Sequence, residues 1–183
     1  IKILKIPIIK IGSGEIGNFE FLKKVIKLKK TMIVSTGMHS KEDLINLKKF
    51  FQRNRFNKVI FLKCNTTYPS KDENINLKNF LEFKKIFKNY SIGYSDHTNH
   101  DLAIIGSVFY GAKVIEKHIS VLFKIKNAQD WRVSFDLDKM RELVSKIRKI
   151  ESIMGNQNIF STNAEKKSKI WASKSLYTNK IIP

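Results

Sequence analysis

Residues 91–118 read SIGYSDHTNHDLAIIGSVFYGAKVIEKH and contain two short apolar runs on either side of one periodic stretch. The two runs, 91–94 and 113–118, carry Ile, Val and Tyr and are bounded by polar residues, which predicts buried strands. The stretch between them, 101–111, has the length and period of a crossover helix. A strand, a helix and a second strand in this order predict a parallel βαβ unit.

The same alternation of short apolar runs and longer periodic stretches continues on both sides of this unit. Five strands that alternate with helices predict a parallel α/β sheet, which is either doubly wound or part of a barrel. In both architectures the active site lies at the carboxyl ends of the strands. The other predicted strands are 6–12, 32–35 and 58–63, and the other predicted helices are 19–30, 41–54 with Ser40 as its N-cap, 77–89, and 136–154 with Gly155 as its stop.

Length and composition limit the possible classes of protein. The 183 residues are fewer than the ~200 to 400 of a complete (β/α)₈ barrel, so we expect a fragment. Hydrophobic residues make up 42% of the chain, which is enough to form a packed core. No apolar run approaches the ~20 residues that cross a bilayer, so we expect no membrane partner. Residues 156–183 are polar and lack a sustained period, which predicts a linker or a domain edge.

The formal net charge of +19 is unusual for a chain of this size. It suggests nucleic acid as a partner, because Lys and Arg neutralise phosphates. The excess is mostly Lys, is spread along the chain and accompanies many Ile and Asn residues, as an AT-rich coding sequence would produce. We therefore predict no nucleic-acid partner. A single cysteine, Cys64, excludes an internal disulfide and is typical of the reducing cytoplasm, where we expect this protein.

Polar side chains follow every predicted strand, at the point where the strand enters its loop. Lys10 is the most unusual, because it interrupts an apolar strand where a buried ammonium group needs a partner. It either binds an anionic substrate or forms an internal ion pair with Glu15 or Asp96. Hydroxyl groups at the other strand ends are also suited to bind a phosphate or a carboxylate. These are Ser13, Ser35 and Ser95.

Two imidazoles end successive strands. Neutral rings of His97 and His118 would bind one divalent ion and leave positions open for a substrate, or they are ordinary hydrogen-bonded residues. The two remaining histidines, His39 and His100, are expected to face solvent.

Two carboxylates and the thiol complete the candidates. Asp130 either orients a substrate hydroxyl or moves a proton, or it belongs to a turn before the last helix. Glu15 is either a general acid or base or the counter-ion of Lys10. Cys64 is expected to be a buried structural thiol. The sequence contains no Walker-type loop, no Gly-x-Gly-x-x-Gly after a strand and no Gly-x-Ser-x-Gly elbow, which excludes nucleotide-cradling and serine-hydrolase sites.

Taken in order, the strand-end motifs resemble those of the sialic acid synthase family, which includes N-acetylneuraminate, legionaminate and pseudaminate synthases. The similarity extends over residues 6–155, with a weaker continuation at 171–176. The motifs are Lys10-Ile11-x-Ser13-x-Glu15, Ser35-Thr36-Gly37-Met38, Cys64-x-x-x-Tyr68-Pro69, Gly93-Tyr94-Ser95-Asp96-His97-Thr98 and Gly111-Ala112-x-Val114-Ile115-Glu116-Lys117-His118.

The resemblance implies a (β/α)₈ TIM barrel of which this chain holds only the later strands and helices. Residues 1–155 would be the C-terminal portion of the synthase domain, and 156–183 a linker to an absent antifreeze-like domain. The implied enzyme condenses phosphoenolpyruvate with an N-acetylated hexosamine such as N-acetylmannosamine, uses Mn²⁺ or Mg²⁺, and acts as a homodimer. Its products are a nonulosonic acid and phosphate. The alternatives are another phosphoenolpyruvate-dependent aldol-type synthase, or an inactive basic binding protein with the same fold.

By the same resemblance, Glu15, Tyr68 and Asp130 are the catalytic residues, and His97 and His118 bind the metal. Glu15 handles the attacking water or its proton, Tyr68 contacts the substrates beside the metal, and Asp130 orients the sugar. The sequence departs from the family pattern at Thr66, at Ile119-Ser120 and at Ala128-Gln129-Asp130, which concerns the sugar end of the site more than the phosphoenolpyruvate end. The implied substrate-binding residues are Lys10, Ser13, Ser35, Thr66, Tyr68 and Ser95.

Overall fold

The computed structural model describes residues 5–156, 158–174, 176–177 and 179. Within them, five parallel strands form one sheet in which each strand pairs with the next in chain order. A doubly wound sheet reverses its strand order at a switch point, whereas the wall of a (β/α)₈ barrel does not. The observed order is therefore that of a partial barrel. The strands are β1 (Ile8–Ile11), β2 (Thr31–Ser35), β3 (Val59–Cys64), β4 (Ser91–Asp96) and β5 (Val114–Lys117).

Helices connect the strands and continue beyond the last one. The predicted N-cap is confirmed, since the Ser40 hydroxyl accepts a hydrogen bond from the Asp43 backbone and the Asp43 carboxylate accepts one from Ser40. No helix in the described part of the chain is long and apolar enough to cross a membrane. The helices are α1 (Phe19–Ile26), α2 (Lys41–Arg53), α3 (Asp72–Ile75), α4 (Asn79–Ile86), α5 (Leu102–Phe109), α6 (Leu137–Met154) and α7 (Asn163–Ala172).

Helix α6 has the predicted length, and its apolar spacing predicts one inner stripe, which is confirmed in part. Ile150 is buried and Met140 and Ile147 pack partly buried against the core, whereas Leu137 and Val144 are about half exposed. Leu143 is buried as well, because α6 packs mainly on α5 beside the sheet. The predicted stripe comprises Leu137, Met140, Val144, Ile147 and Ile150. Gly155 ends the helix with a positive φ of 54°, as its position predicted.

Helix α7 lies in the segment that was predicted to be an irregular linker. It begins with a capping box between Thr162 and Glu165, and none of its residues is buried. The helix was missed because an apolar period is the main signal for a helix, and this one has no buried face. Positions 157, 175, 178 and 180–183 of the same segment lie outside the described residues.

Aromatic side chains fill the space between the sheet and the helices. Phe61 of β3 stacks on Phe87 with ring centres 4.0 Å apart, and meets Phe51 of α2 edge-on at 5.4 Å. All three rings are fully buried, and each contributes ~1.5–3 kcal/mol through burial. This outer layer holds the strands in place, so that the inner face of the sheet is free to carry polar side chains at its carboxyl end.

Gly93 marks a point where β4 and β5 lie too close together for any side chain. A Cβ atom at this position would lie 2.2 Å from the Val114 carbonyl oxygen and 2.6 Å from a Leu62 methyl group. We expect Gly93→Ala to lower the free energy of unfolding by at least ~2 kcal/mol, because the backbone of β5 must shift. Urea denaturation measures this loss. Gly12→Ala is the matched control, since a Cβ there meets no atom within 4 Å; equal losses for both variants would contradict the close approach.

Candidate active site

One cavity of about 550 Å³ opens at the carboxyl ends of the strands. All five strands contribute to it, either by their last residues or by the loop that follows. Eight of the ten site residues predicted from sequence line this cavity, and Glu15 and Asp130 do not. The eight are Lys10, Ser13, Ser35, Thr66, Tyr68, Ser95, His97 and His118, and the further lining residues include Cys64, Glu116 and Lys117.

Lys10 forms the anion-seeking end of the cavity. Its ammonium group donates a hydrogen bond to Ser35 Oγ at 2.8 Å and lies 3.4 Å from Glu116 Oε2. The other Glu116 oxygen accepts a hydrogen bond from Ser95 Oγ at 2.7 Å. Lys10 is therefore ion-paired with Glu116, and not with Glu15 or Asp96 as the sequence suggested. The side chains of Lys10 and Glu116 are 39% and 36% exposed, so both remain open to a ligand from the cavity.

Ser13 connects β1 to the neighbouring strand ends. Its hydroxyl accepts a hydrogen bond from the Gly37 backbone at 2.9 Å and lies 3.4 Å from the Cys64 sulfur. Its carbonyl oxygen lies 2.8 Å from His39 Nε2, and the His39 side chain is only 17% exposed. The expectation that His39 faces solvent was wrong, because this histidine fastens the loop after β1. Cys64 is buried, as predicted.

The rings of His97 and His118 lie side by side, with centres 5.4 Å apart. Tyr68 packs against both, at 4.0 Å from His97 and 5.7 Å from His118. His97 Nδ1 contacts the Asn65 carbonyl oxygen, which only accepts hydrogen bonds, so Nδ1 carries the proton and Nε2 keeps its lone pair. Burial lowers the pKa of His97 and favours the neutral ring, which is the form that binds metals.

The two imidazoles fit a shared divalent ion. A ligating nitrogen lies ~2.1 Å from the ion and ~1.1 Å from its own ring centre, so two rings that meet one ion at an angle of ~90–120° have centres ~4.5–5.5 Å apart. Among the residues that the structure describes, no group of three or more His, Cys, Asp or Glu side chains is placed to hold a metal. Two imidazoles alone would leave the other coordination positions of an ion open to substrate or water.

A buried ion pair joins the two residues that precede the imidazoles in sequence. Lys117 donates to Asp96 Oδ2 at 2.7 Å and to the Thr98 carbonyl at 2.6 Å, and the side chains of Lys117 and Asp96 are 2% and 0% exposed. Burial lowers the pKa of Lys117. Asp96 and Lys117 face each other across β4 and β5, so the pair holds the two strand ends together. Each member directly precedes one of the two histidines in sequence. Sequence reasoning missed it, although a charge inside an apolar strand is the signal that singled out Lys10.

The two predicted carboxylates lie at the edge of the site. Glu15 follows β1 in a 3₁₀ turn that spans Ser13–Glu15, and its Oε2 accepts a hydrogen bond from Asn18 Nδ2 at 2.9 Å. Asp130 begins a second 3₁₀ turn, has a side chain that is 69% exposed, and places Oδ2 3.8 Å from His118 Nδ1. Asp130 is thus beside His118, whereas Glu15 is outside the cavity lining.

Comparison with known proteins identifies the family of this chain. The family model described as the NeuB family matches residues 1–159. The chain belongs to the NeuB family. Pseudaminic acid synthase of Campylobacter jejuni is 36% identical over 173 residues, which cover 94% of this chain and 50% of that protein. Human N-acetylneuraminate-9-phosphate synthase is 33% identical over 84% of this chain and 42% of its own length. The resemblance to sialic acid synthases is therefore confirmed, and the chain spans about half the length of these relatives.

Solved structures confirm the partial barrel. The N-acetylneuraminic acid synthetase of Leptospira borgpetersenii superposes with a TM-score of 0.83 and is 26% identical, covering 93% of this chain and 59% of its own. A phospho-2-dehydro-3-deoxyheptonate aldolase of Thermotoga maritima superposes with a TM-score of 0.67 at 22% identity over 81% of this chain and 46% of its own, which shows a shared fold.

Proposed function

We propose that this chain supplies the metal-binding and anion-binding half of the active site of a nonulosonic acid synthase. The whole enzyme would condense phosphoenolpyruvate with an N-acetylated hexosamine such as N-acetylmannosamine. One observation carries the proposal: in a NeuB-family chain, a lysine–serine cluster and two paired imidazoles from different strands line the same cavity. Homodimer formation and a cytoplasmic location are part of the same proposal and rest on the family resemblance.

Phosphoenolpyruvate would bind at the Lys10 end of the cavity. Its phosphate and carboxylate oxygens would accept hydrogen bonds from Lys10, Ser35 and Ser95. In the structure, Lys10 donates to Ser35 and is ion-paired with Glu116, and Ser95 donates to Glu116. Ser13 and Thr66 line the same wall. The dianionic phosphate is a stronger acceptor than the Glu116 carboxylate, so the substrate displaces Glu116 from the Lys10 ammonium.

The sugar aldehyde would lie at the imidazole end, beside Tyr68. Bound Mn²⁺ or Mg²⁺, held by His97 and His118, would supply Lewis acidity that polarises the aldehyde oxygen. The terminal methylene carbon of phosphoenolpyruvate would form the new bond to the aldehyde carbon, and the aldehyde oxygen would take up a proton. Water would then add at the neighbouring carbon, which carries the phosphate oxygen, and lose its proton, and phosphate would leave with cleavage of that carbon–oxygen bond. Burial raises the pKa of Tyr68, so its phenol remains a proton donor at neutral pH. Asp130 orients the sugar, and Glu15 remains the predicted group that handles the water or its proton.

The proposal is tested by phosphate release in a polypeptide that carries the whole barrel. We expect Mn²⁺-dependent release of phosphate from phosphoenolpyruvate with N-acetylmannosamine or a related N-acetylhexosamine. The 183-residue chain alone should show no turnover, because five strands do not close a barrel. Release of phosphate with a pentose phosphate as the second substrate, and with none of the N-acetylhexosamines, would favour another aldol-type synthase. No release with any sugar, together with salt-sensitive RNA binding, would favour a basic binding protein.

A further inference from the structure

Lys63 is a buried lysine that the proposed reaction does not use. It lies on β3 between Leu62 and Cys64, and only 7% of the residue is exposed. Cys64 lines the active-site cavity, so the alternation of a strand points Lys63 to the opposite face, toward the helices. There it borders a second cavity of about 230 Å³, which is also lined by residues of α2 and α4 and shares Met38 and Cys64 with the first.

The Lys63 ammonium group is held by neutral acceptors. It donates to the Ile75 carbonyl at 2.7 Å and to Asn65 Oδ1 at 3.3 Å, and it lies 5.4 Å from the centre of the Tyr94 ring. In the described part of the chain, no carboxylate oxygen lies within 4 Å of it. Burial lowers the pKa of Lys63 to about 8, so the group is still mostly charged at neutral pH. Burying the charged ammonium group of Lys63 lowers the stability of the fold, so we expect its contacts to serve a function.

The two acceptors belong to the segment that follows β3 and ends with helix α3, residues 65–75. Ile75 is the last residue of α3, and Asn65 is the first residue after β3. Asn65 also donates from Nδ2 to the Asn74 carbonyl at 2.7 Å. Lys63 and Asn65 therefore tie the start of this segment to its end and close it into a loop.

Three contacts of the same closed segment converge on His97. The Asn65 carbonyl accepts the hydrogen bond of His97 Nδ1, and the Tyr68 ring packs on the imidazole at 4.0 Å. The Ser70 backbone donates to the His97 carbonyl at 2.8 Å. The position of the segment thus decides which His97 nitrogen carries the proton and where the ring points.

We propose that Lys63 is a positioning residue: by binding Ile75 and Asn65 it closes the 65–75 segment, and the closed segment sets the tautomer and orientation of His97. The importance of this for metal binding rests on the proposed function. The tautomer itself is a property of the metal-free protein and is measured independently.

The test compares Lys63→Met with Lys71→Met in protein labelled with ¹⁵N-histidine. Met keeps the length and burial of the side chain but donates no hydrogen bond. Lys71 lies in the same segment, its side chain is 77% exposed, and its nearest carboxylate is 3.9 Å away. Long-range ¹H–¹⁵N correlation at neutral pH reports the tautomer of His97, whose signal is identified by its loss in His97→Ala. We expect the Nδ1–H form in the unsubstituted protein and in Lys71→Met, and a mixture with Nε2–H in Lys63→Met.

Manganese titration gives the functional readout. We expect the Kd for Mn²⁺ to rise about 10-fold in Lys63→Met and to stay unchanged in Lys71→Met. If Lys63→Met does not fold, Asn65→Ala tests the same link, since it removes the tie to Asn74 and keeps the carbonyl that faces His97. An unchanged tautomer in whichever of these variants folds would overturn the proposal, as would an equal change in Lys71→Met. A shifted tautomer in a protein that never binds Mn²⁺ would support the positioning role and reject the proposed metal site instead.

Discussion

Replacing either His97 or His118 with alanine is expected to weaken Mn²⁺ binding by at least ~100-fold, since loss of a supporting group alone costs about 10–100-fold. The centres of the two rings lie 5.4 Å apart, and among the described residues no group of three or more His, Cys, Asp and Glu side chains is placed to hold a metal, so each nitrogen matters. Isothermal titration with Mn²⁺ measures the loss. In the polypeptide that carries the whole barrel, stimulation by divalent ions should disappear in parallel.

Two controls separate metal binding from general damage. His100→Ala should bind Mn²⁺ normally, because His100 does not line the cavity. Its Nε2 atom lies 2.7 Å from Asp72 Oδ1. His97→Ala and His118→Ala should largely keep the affinity for phosphoenolpyruvate. The groups proposed to bind it, Lys10, Ser35 and Ser95, contact each other or Glu116 and neither histidine. A full response to Mn²⁺ in either alanine variant would show that the ligands have been assigned incorrectly.

Lys117→Met is expected to lower the free energy of unfolding by ~3–5 kcal/mol, because it leaves the Asp96 carboxylate buried without its cation. Asp96 is fully buried, and its other hydrogen bonds come from the Thr98 backbone and hydroxyl group. Urea denaturation at neutral pH measures the change. The double variant Asp96→Asn with Lys117→Met should lose much less than the sum of the single variants, since neither charge remains.

An exposed ion pair provides the comparison. Lys41 and Glu82 also meet at 2.7 Å, but their side chains are 64% and 44% exposed. Lys41→Met should therefore hardly change the free energy of unfolding, because water replaces the lost partner. Equal effects of Lys41→Met and Lys117→Met would mean that burial does not decide the strength of the inner pair.

The strands and most helices could be predicted because their signals are local. An apolar run bounded by polar residues indicates a buried strand, and Ser40 with Asp43 indicates a helix start within four residues. The carboxyl ends of parallel strands meet at one edge, so the polar residues there were expected to lie close together. That expectation led to six of the eight predicted side chains that line the cavity, and the family resemblance added Thr66 and Tyr68.

The failures have a physical cause as well. Helix α7 carries no buried side chain, so it lacks the period that helix prediction depends on. The inner face of α6 was predicted only in part, because the exposure of Leu137 and Val144 depends on how the helix packs beside α5. His39 was expected to face solvent, but its partner is a carbonyl 26 positions earlier in the chain.

The amino-acid sequence by itself determined the order of strands and helices, the family, and the set of polar groups at the strand ends. Only the tertiary structure decided which of these groups bind each other. Ser95 faces Glu116 and Asp96 faces Lys117 because β4 and β5 pair in that register. A shift of one residue would leave every local pattern in the sequence unchanged and would exchange all of these partners. The pairing of charges in this site is therefore a property of strand register, which depends on the packing of the whole sheet.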